Sequence, residues 1–102
     1  MHDRLQEFMA EPWWVIFSNF AESLTIELKK ELSPSHILYG KNAVAVARRQ
    51  DNDDVVYWIN ELNQYAIVHL TYTKENRSEY PKTQFFTLME LKKHCQEVSQ
   101  LY

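Results

Sequence analysis

Residues 43–73 read AVAVARRQDNDDVVYWINELNQYAIVHLTYT, and the pattern of this stretch predicts the central sheet. Valine, isoleucine, tyrosine and tryptophan are frequent in it, and β-branched and aromatic residues of this kind favour strands. Short polar segments interrupt the apolar pattern twice, so the stretch predicts three strands, over 43–50, 55–62 and 65–73. Each interruption is short enough for a hairpin, and the predicted arrangement is an antiparallel meander. A further strand over 35–39 is an alternative extension of this sheet.

Helical periodicity precedes the sheet. A short helix is predicted over 3–10, and a longer one over 12–32, because Pro12 suits the first position of a helix. The ring of Pro34 disfavours helical geometry at the preceding residue and so ends the long helix. The apolar stripe of the long helix follows steps of three and four residues and is predicted to pack in the core: Trp13, Phe17, Phe20, Leu24 and Leu28.

A second helical pattern follows the sheet. Thr87 and Glu90 have the spacing of a capping box, in which the threonine hydroxyl accepts the N–H three residues on and the glutamate reaches back. The predicted helix runs to about Ser99 and packs through one apolar face. Together these segments predict a single α+β domain over 1–102, with an antiparallel meander of three or four strands, an N-terminal helical region and a C-terminal helix.

The composition excludes several classes of function. The formal net charge of −3 argues against a general affinity for nucleic acid, because that affinity comes from lysine and arginine on phosphates. The single glycine, Gly40, excludes phosphate-binding glycine loops and the nucleophile elbow, which need two or more glycines. No apolar run approaches the roughly 20 residues of a membrane span. The single cysteine permits no intrachain disulfide, and the chain opens without the pattern of a secretory signal, so a cytoplasmic location is expected.

Histidine and cysteine form no predicted catalytic or metal site. His69 lies within a predicted strand, where an imidazole could act as a general base, but no pattern places a nucleophile and an orienting carboxylate beside it. The histidines and Cys95 also lack the spacing of zinc ligands. The sequence therefore predicts no catalytic residue, no metal and no cofactor.

The predicted sheet carries an excess of aromatic and apolar side chains. Two helical regions normally cover one face of such a sheet and leave the other face open to solvent. Odd and even positions of these strands are both apolar, so both faces of the sheet would be apolar, including the open one. We therefore predict that the open face binds a partner protein. The residues predicted for this surface are Tyr57, Ile59, Tyr65, Ile67 and His69. The alternative is that loops and the short N-terminal helix cover the face.

One segment resembles a known group of proteins. Residues 65–72 read YAIVHLTY, and Glu79-Tyr80-Pro81 and Phe85-Phe86 follow before the last helix. With this Val-His-Leu-Thr-aromatic strand, charged loop, proline and closing helix, the chain resembles a class of small bacterial proteins, some of them immunity proteins that neutralise toxins. The resemblance covers about a quarter of the chain. It implies a stoichiometric binding role and identifies neither the partner nor a functional residue.

Functions from different classes compete on this basis. The leading hypothesis is a non-catalytic protein-binding module, of the immunity type, whose partner is another protein and neither nucleic acid nor a membrane. The alternative is a small-ligand-binding protein or an enzyme with a pocket around His69, Trp58 and Tyr72. Self-association as a homodimer through the same aromatic face is a third arrangement.

Overall fold

The computed structural model of the chain describes residues 3–73 and 77–102. None of the helices in these two ranges is long and apolar enough to cross a membrane. In chain order the elements are a 3-10 helix Asp3–Glu7, β1 Trp13–Val15, α1 Ser18–Glu31, β2 Ala43–Arg49, β3 Asp54–Ile59, a 3-10 turn Asn60–Leu62, β4 Gln64–His69, β5 Lys82–Phe86 and α2 Leu88–Leu101.

The strands in this part of the chain form one antiparallel sheet in chain order, from β1 at one edge to β5 at the other. This arrangement confirms the α+β class and the predicted meander of β2, β3 and β4. The predicted number of three or four strands is wrong, because β1 and β5 extend the sheet to five. The optional strand over 35–39 does not form, since the backbone there follows successive turns.

β1 replaces the first part of the predicted long helix. α1 begins only at Ser18, and the residues of β1 pair with 47–49 of β2. A short apolar run fits a strand and a helix equally well by periodicity, and tryptophan and valine favour the strand. The N–H of Ile16 continues the pairing by donating to the carbonyl of Val46 at 3.1 Å. The chain therefore leaves the edge of the sheet only after Ile16, and α1 starts there.

Both faces of the sheet are covered. α1 and the turns after it cover one face, and α2 with the N-terminal 3-10 helix covers the other. Strands buried on both faces carry apolar residues at both parities, which explains the pattern of β3 and β4. The buried residues on the α1 face are Leu24, Leu28, Leu32, Leu38, Ala43, Ala45, Val55, Tyr57, Ile59, Ala66, Val68 and Leu70. Those on the α2 face are Leu5, Trp13, Val46, Ala47, Val56, Tyr65, Ile67, Phe86, Leu91 and Cys95.

Hydrogen bonds help to fix the position of α1 on the face of the sheet that it covers. A β-bulge between Ala45 and Ala47 shifts the register of β2. The N–H of Ala45 donates to the hydroxyl of Thr25 in α1 at 3.1 Å. From β3, the hydroxyl of Tyr57 donates to the carbonyl of Leu24 at 2.6 Å. These bonds fix the middle of α1 over β2 and β3.

α2 begins with the predicted capping box, which is confirmed. The N–H of Glu90 donates to the hydroxyl of Thr87 at 3.2 Å, and the N–H of Thr87 donates to the carboxylate of Glu90 at 2.8 Å. Leu91 and Cys95 are buried against the sheet. α2 therefore starts at the residue that its sequence predicts and packs through the face that its sequence predicts.

Candidate functional site

The register of β3 and β4 divides the predicted partner-binding residues between the two faces of the sheet. Tyr57 lies opposite Ala66. Because side chains alternate between faces along a strand, Tyr57 and Ile59 lie on the α1 face. The remaining predicted residues point to the α2 face: Tyr65, Ile67 and His69. The five residues therefore do not form one surface.

Four of these five residues are buried, so the prediction of an open aromatic face is wrong. Tyr57 and Ile59 are inaccessible to solvent beneath α1, and Tyr65 and Ile67 are only 6% and 8% exposed. Burial, and after it the negative charge of Glu31, raises the pKa of Tyr57. Burial also raises the pKa of Tyr65. These side chains belong to the two cores, because a helix covers each face.

His69 is the predicted site residue whose side chain is exposed. Its Nδ1 lies 2.8 Å from Oδ1 of Asp54, directly across the strand pair in β3. Trp58 lies four residues from Asp54, which is about 13 Å along a strand. Tyr72 lies in a groove with the last turns of α1. The structure therefore does not bring His69, Trp58 and Tyr72 together in one pocket.

The described ranges contain no arrangement typical of a metal site. In them, no three His, Cys, Asp or Glu side chains are grouped so that they could hold an ion. Cys95 lies in α2 and is buried against the sheet, and burial raises the pKa of its thiol from 9.0 to about 12. Because the thiolate is the reactive form of cysteine, this buried thiol is a poor nucleophile near neutral pH.

The last turn of α1 carries a buried carboxylate. Glu31 is inaccessible to solvent. Its oxygens accept the N–H groups of Thr71 and Tyr72, both at 2.8 Å, and the hydroxyl of Thr71 at 3.1 Å. These bonds replace the water that a carboxylate loses on burial. Glu31 therefore ties the segment after β4 to the end of α1, which is a structural role.

Glu27 lies one helical turn before Glu31 and interacts with it. Hydrogen bonding to Glu31, then partial burial and the negative charge of Glu31, raises the pKa of Glu27 from 4.5 to about 7, and Lys30 opposes this rise. Two carboxyl groups at such close range cannot both ionise without repulsion. With a pKa of about 7, Glu27 is about half protonated near neutral pH, and its protonated form can donate a hydrogen bond to Glu31.

An exposed apolar surface lies at the opposite end of α1. Trp14 is 53% exposed, and Phe17 and Phe20 are each 68% exposed. These three side chains line one groove of about 600 Å³ between β1 and the start of α1. We call this surface the aromatic groove, and define it by Trp14, Ile16, Phe17, Phe20, Arg48 and Gln50.

The exposure of Phe17 and Phe20 corrects the predicted core stripe of the first helix. α1 follows β1 directly, and β1 is an edge strand, so the first turn of α1 has no further strand to pack against. Leu24 and Leu28 lie further along the helix, over the middle of the sheet, and both are buried as predicted. Phe17 and Phe20 of the predicted stripe are therefore exposed, whereas Trp13 is buried in β1 on the opposite, α2 face of the sheet.

Polar side chains flank the aromatic groove. The indole N–H of Trp14 donates to the side-chain oxygen of Gln50 at 2.6 Å, which orients the ring at the sheet edge. Arg48 lies directly opposite Trp14 in β2 and shares its face. The guanidinium of Arg48 forms no hydrogen bond or salt bridge within the described residues. The neighbouring Arg49 is held by Asp51 at 2.6 Å. The groove thus combines exposed aromatic rings with an unpaired positive charge.

The number of residues in the connection between β3 and β4 predicts that Tyr57 and Tyr65 lie on opposite faces of the sheet. A hairpin connection with an even number of residues pairs odd positions with even positions. The observed connection, 60–63, has four residues, and the predicted two-residue turn at 63–64 has the same parity. Either connection places Tyr57 opposite an even-numbered residue of β4, and so on the other face from Tyr65. No comparable sequence feature predicts the aromatic groove, because the groove depends on residues 13–15 forming a strand.

No protein-family model matches this chain, and no curated protein and no solved structure matches it. In the described ranges, the aromatic groove is an exposed apolar surface.

Proposed function

We propose that the domain is a non-catalytic protein-binding module and that the aromatic groove is its binding surface. The observation that carries this proposal is the exposure of three neighbouring aromatic side chains, Trp14, Phe17 and Phe20, around one groove. Large aromatic side chains dominate the energetics of protein interfaces, because they bury a large apolar area with few rotatable bonds. Clustered apolar groups of this kind on a surface mark interaction sites.

The partner that we propose is another protein. A role of the immunity type, in which a cytoplasmic module binds and neutralises a toxin, agrees with the resemblance to small bacterial proteins. The first segment of that resemblance, 65–72, lies mainly in buried β4, so it does not belong to the proposed contact surface. The small-ligand alternative receives no support from geometry, because Trp58 and Tyr72 lie apart from His69.

Site-specific photo-crosslinking tests the proposal. Benzoylphenylalanine replaces Phe17 in one sample and Met89 in a matched control, because Met89 is 80% exposed on α2 and lies outside the groove. We expect the Phe17 sample to crosslink a protein from its native host that the Met89 sample does not, and mass spectrometry to identify it. The purified partner should then bind the Phe20→Ser variant about tenfold or more weakly than the wild type.

Two results would contradict the proposal. One is the absence of any product specific to position 17 in extracts where the control sample is equally reactive. The other is a purified partner that binds Phe20→Ser as tightly as the wild type. Far-UV circular dichroism of the variant establishes that it is folded, which is expected because Phe20 lies outside both cores.

A further inference from the structure

β1 presents an unpaired edge of the sheet. Within the described residues it pairs with β2 on one side and with no strand on the other. The N–H of Gln50 donates to the carbonyl of Pro12, and the N–H of Ile16 donates to the carbonyl of Val46. Backbone groups alternate in an antiparallel pair, so Val15 directs its N–H and C=O away from β2. The outer side of β1 can therefore accept another strand.

The two edges of the sheet differ in their protection against such pairing. β5 exposes Lys82 and Gln84, and lysine on an edge strand hinders the approach of another chain. β1 consists of two tryptophans and a valine and carries no charge. An uncharged edge strand beside an exposed apolar groove is the geometry that partners use when they add a strand to a sheet.

Side chains of an added strand would reach the aromatic groove. Trp14 and Arg48 lie on the α1 face of the sheet, at its edge. A strand beside β1 would place alternate side chains on that face, next to Trp14 and toward Phe17 and Phe20. Apolar side chains at those positions would bury the aromatic rings, and the strand's other side chains would face away from the groove.

The positive charge of Arg48 sets a second requirement for the segment that binds in the groove. Arg48 lines it and has no acceptor within the described residues, whereas Arg49 is paired with Asp51. A guanidinium that loses water beside an apolar surface needs a compensating acceptor, and a carboxylate matches its fork of N–H donors. A carboxylate in the bound segment is therefore complementary to the groove.

We infer that the aromatic groove takes an extended segment of the partner protein, apolar at alternate positions and carrying a carboxylate, which adds to the sheet as a sixth strand beside β1. The inference rests on the proposed protein-binding function and states the form in which the partner binds. The backbone of the segment pairs with Val15, its apolar side chains cover the rings of the groove, and its carboxylate pairs with Arg48.

Selection from phage-displayed random octapeptides on the full chain tests this inference. We expect the enriched peptides to alternate apolar residues and to contain aspartate or glutamate. The strongest peptide, measured by fluorescence anisotropy, should bind Phe20→Ser and Arg48→Gln each about tenfold or more weakly than the wild type. It should bind the control Met89→Ser with unchanged affinity.

Methylation of peptide amides then tests strand addition itself. Only alternate amides of an added strand face β1. Methylating that set of nitrogens should abolish binding, and methylating the other set should leave it within about twofold, since those amides face away from the sheet.

Several outcomes would overturn the inference. These are equal effects of the two methylated sets, peptides without an acidic residue, full affinity for Arg48→Gln, or no enrichment at all. A dimer in light scattering that Phe20→Ser converts to a monomer would assign the groove to a second copy of the chain. If the inference fails in any of these ways while Phe17 still crosslinks a specific protein, the proposed function stands and only the binding mode is wrong.

Discussion

The helices α1 and α2 begin in opposite ways. α2 begins at a capping box, in which Thr87 and Glu90 satisfy each other's backbone N–H groups. α1 begins at Phe17, which caps the helix without any side-chain hydrogen bond, and its first turn contains no acidic residue. The start of α1 therefore lacks both the side-chain cap and the negative charge that stabilise helix N-termini.

The two halves of α1 also differ in how much they stabilise the fold. Its second half holds the helix in place, through buried Leu24 and Leu28 and through the hydrogen bonds of Glu31. Its first turn exposes Phe17 and Phe20 instead of burying them. Sites at which local sequence disagrees with stability are often functional sites, and this favours the proposed binding role of the start of α1.

The largest expected effect separates the two halves of α1. Leu28→Ala should destabilise the domain by about 2 to 5 kcal/mol, because it leaves a cavity in the core beneath the helix. Phe20→Ala should change the free energy of unfolding by about 0.5 kcal/mol or less, because the ring is largely exposed. Urea denaturation of both variants measures the contrast. Equal destabilisation by the two substitutions would remove the distinction between the halves.

The capping box of α2 should have a measurable but smaller effect. Thr87→Ala removes the hydroxyl that accepts the N–H of Glu90 and should cost about 1 kcal/mol. Thr87→Ser keeps a hydroxyl at the same position and serves as the control. An unchanged stability of Thr87→Ala would mean that α2 is fixed by packing alone.

The acid pair in the second half of α1 should make stability depend on pH. The folded state raises the pKa of Glu27 from 4.5 to about 7, so it holds this proton more tightly than the unfolded state does. The contribution of Glu27 is therefore fully present below pH 4.5 and is lost as the pH rises through 7. Because Glu27 is partly exposed, the loss should be about 1 kcal/mol or less.

Glu27→Gln isolates this effect, because a glutamine amide can donate to Glu31 at any pH. The stability of this variant relative to the wild type should rise between pH 5 and pH 8, as measured by urea denaturation at each pH. Glu22→Gln, on the same helix and exposed, controls for the loss of a charge. A relative stability of Glu27→Gln that does not change with pH would exclude a shared proton.

Sequence patterns predicted the parts of the fold in which local and tertiary preferences agree. The three central strands and α2 follow from alternation and from the capping box, and both are present. The strand β1 was not predictable from periodicity, because residues 13–17 fit a helical stripe as well as a strand. The five residues of β5 follow a charged segment and carry their apolar residues only at the end, Phe85 and Phe86.

The candidate site was less predictable than the fold. The prediction of one open aromatic face failed, because a helix covers each face of the sheet and the hairpin parity places Tyr57 and Tyr65 on opposite faces. The aromatic groove forms only where β1, the start of α1 and Arg48 meet. These residues are brought together by strand pairing across more than 30 positions of the chain, which no local pattern encodes.

The free energy of unfolding of Phe17→Asp distinguishes a contact role for the start of α1 from a stabilising role. Phe17 occupies the capping position with extended backbone angles, and aspartate there would accept an N–H of the first turn and complement the helix dipole. We expect urea denaturation to find the variant more stable than the wild type, by about 0.5 to 1 kcal/mol. A variant destabilised by about 1 kcal/mol or more would contradict this expectation, because Phe17 would then support the fold.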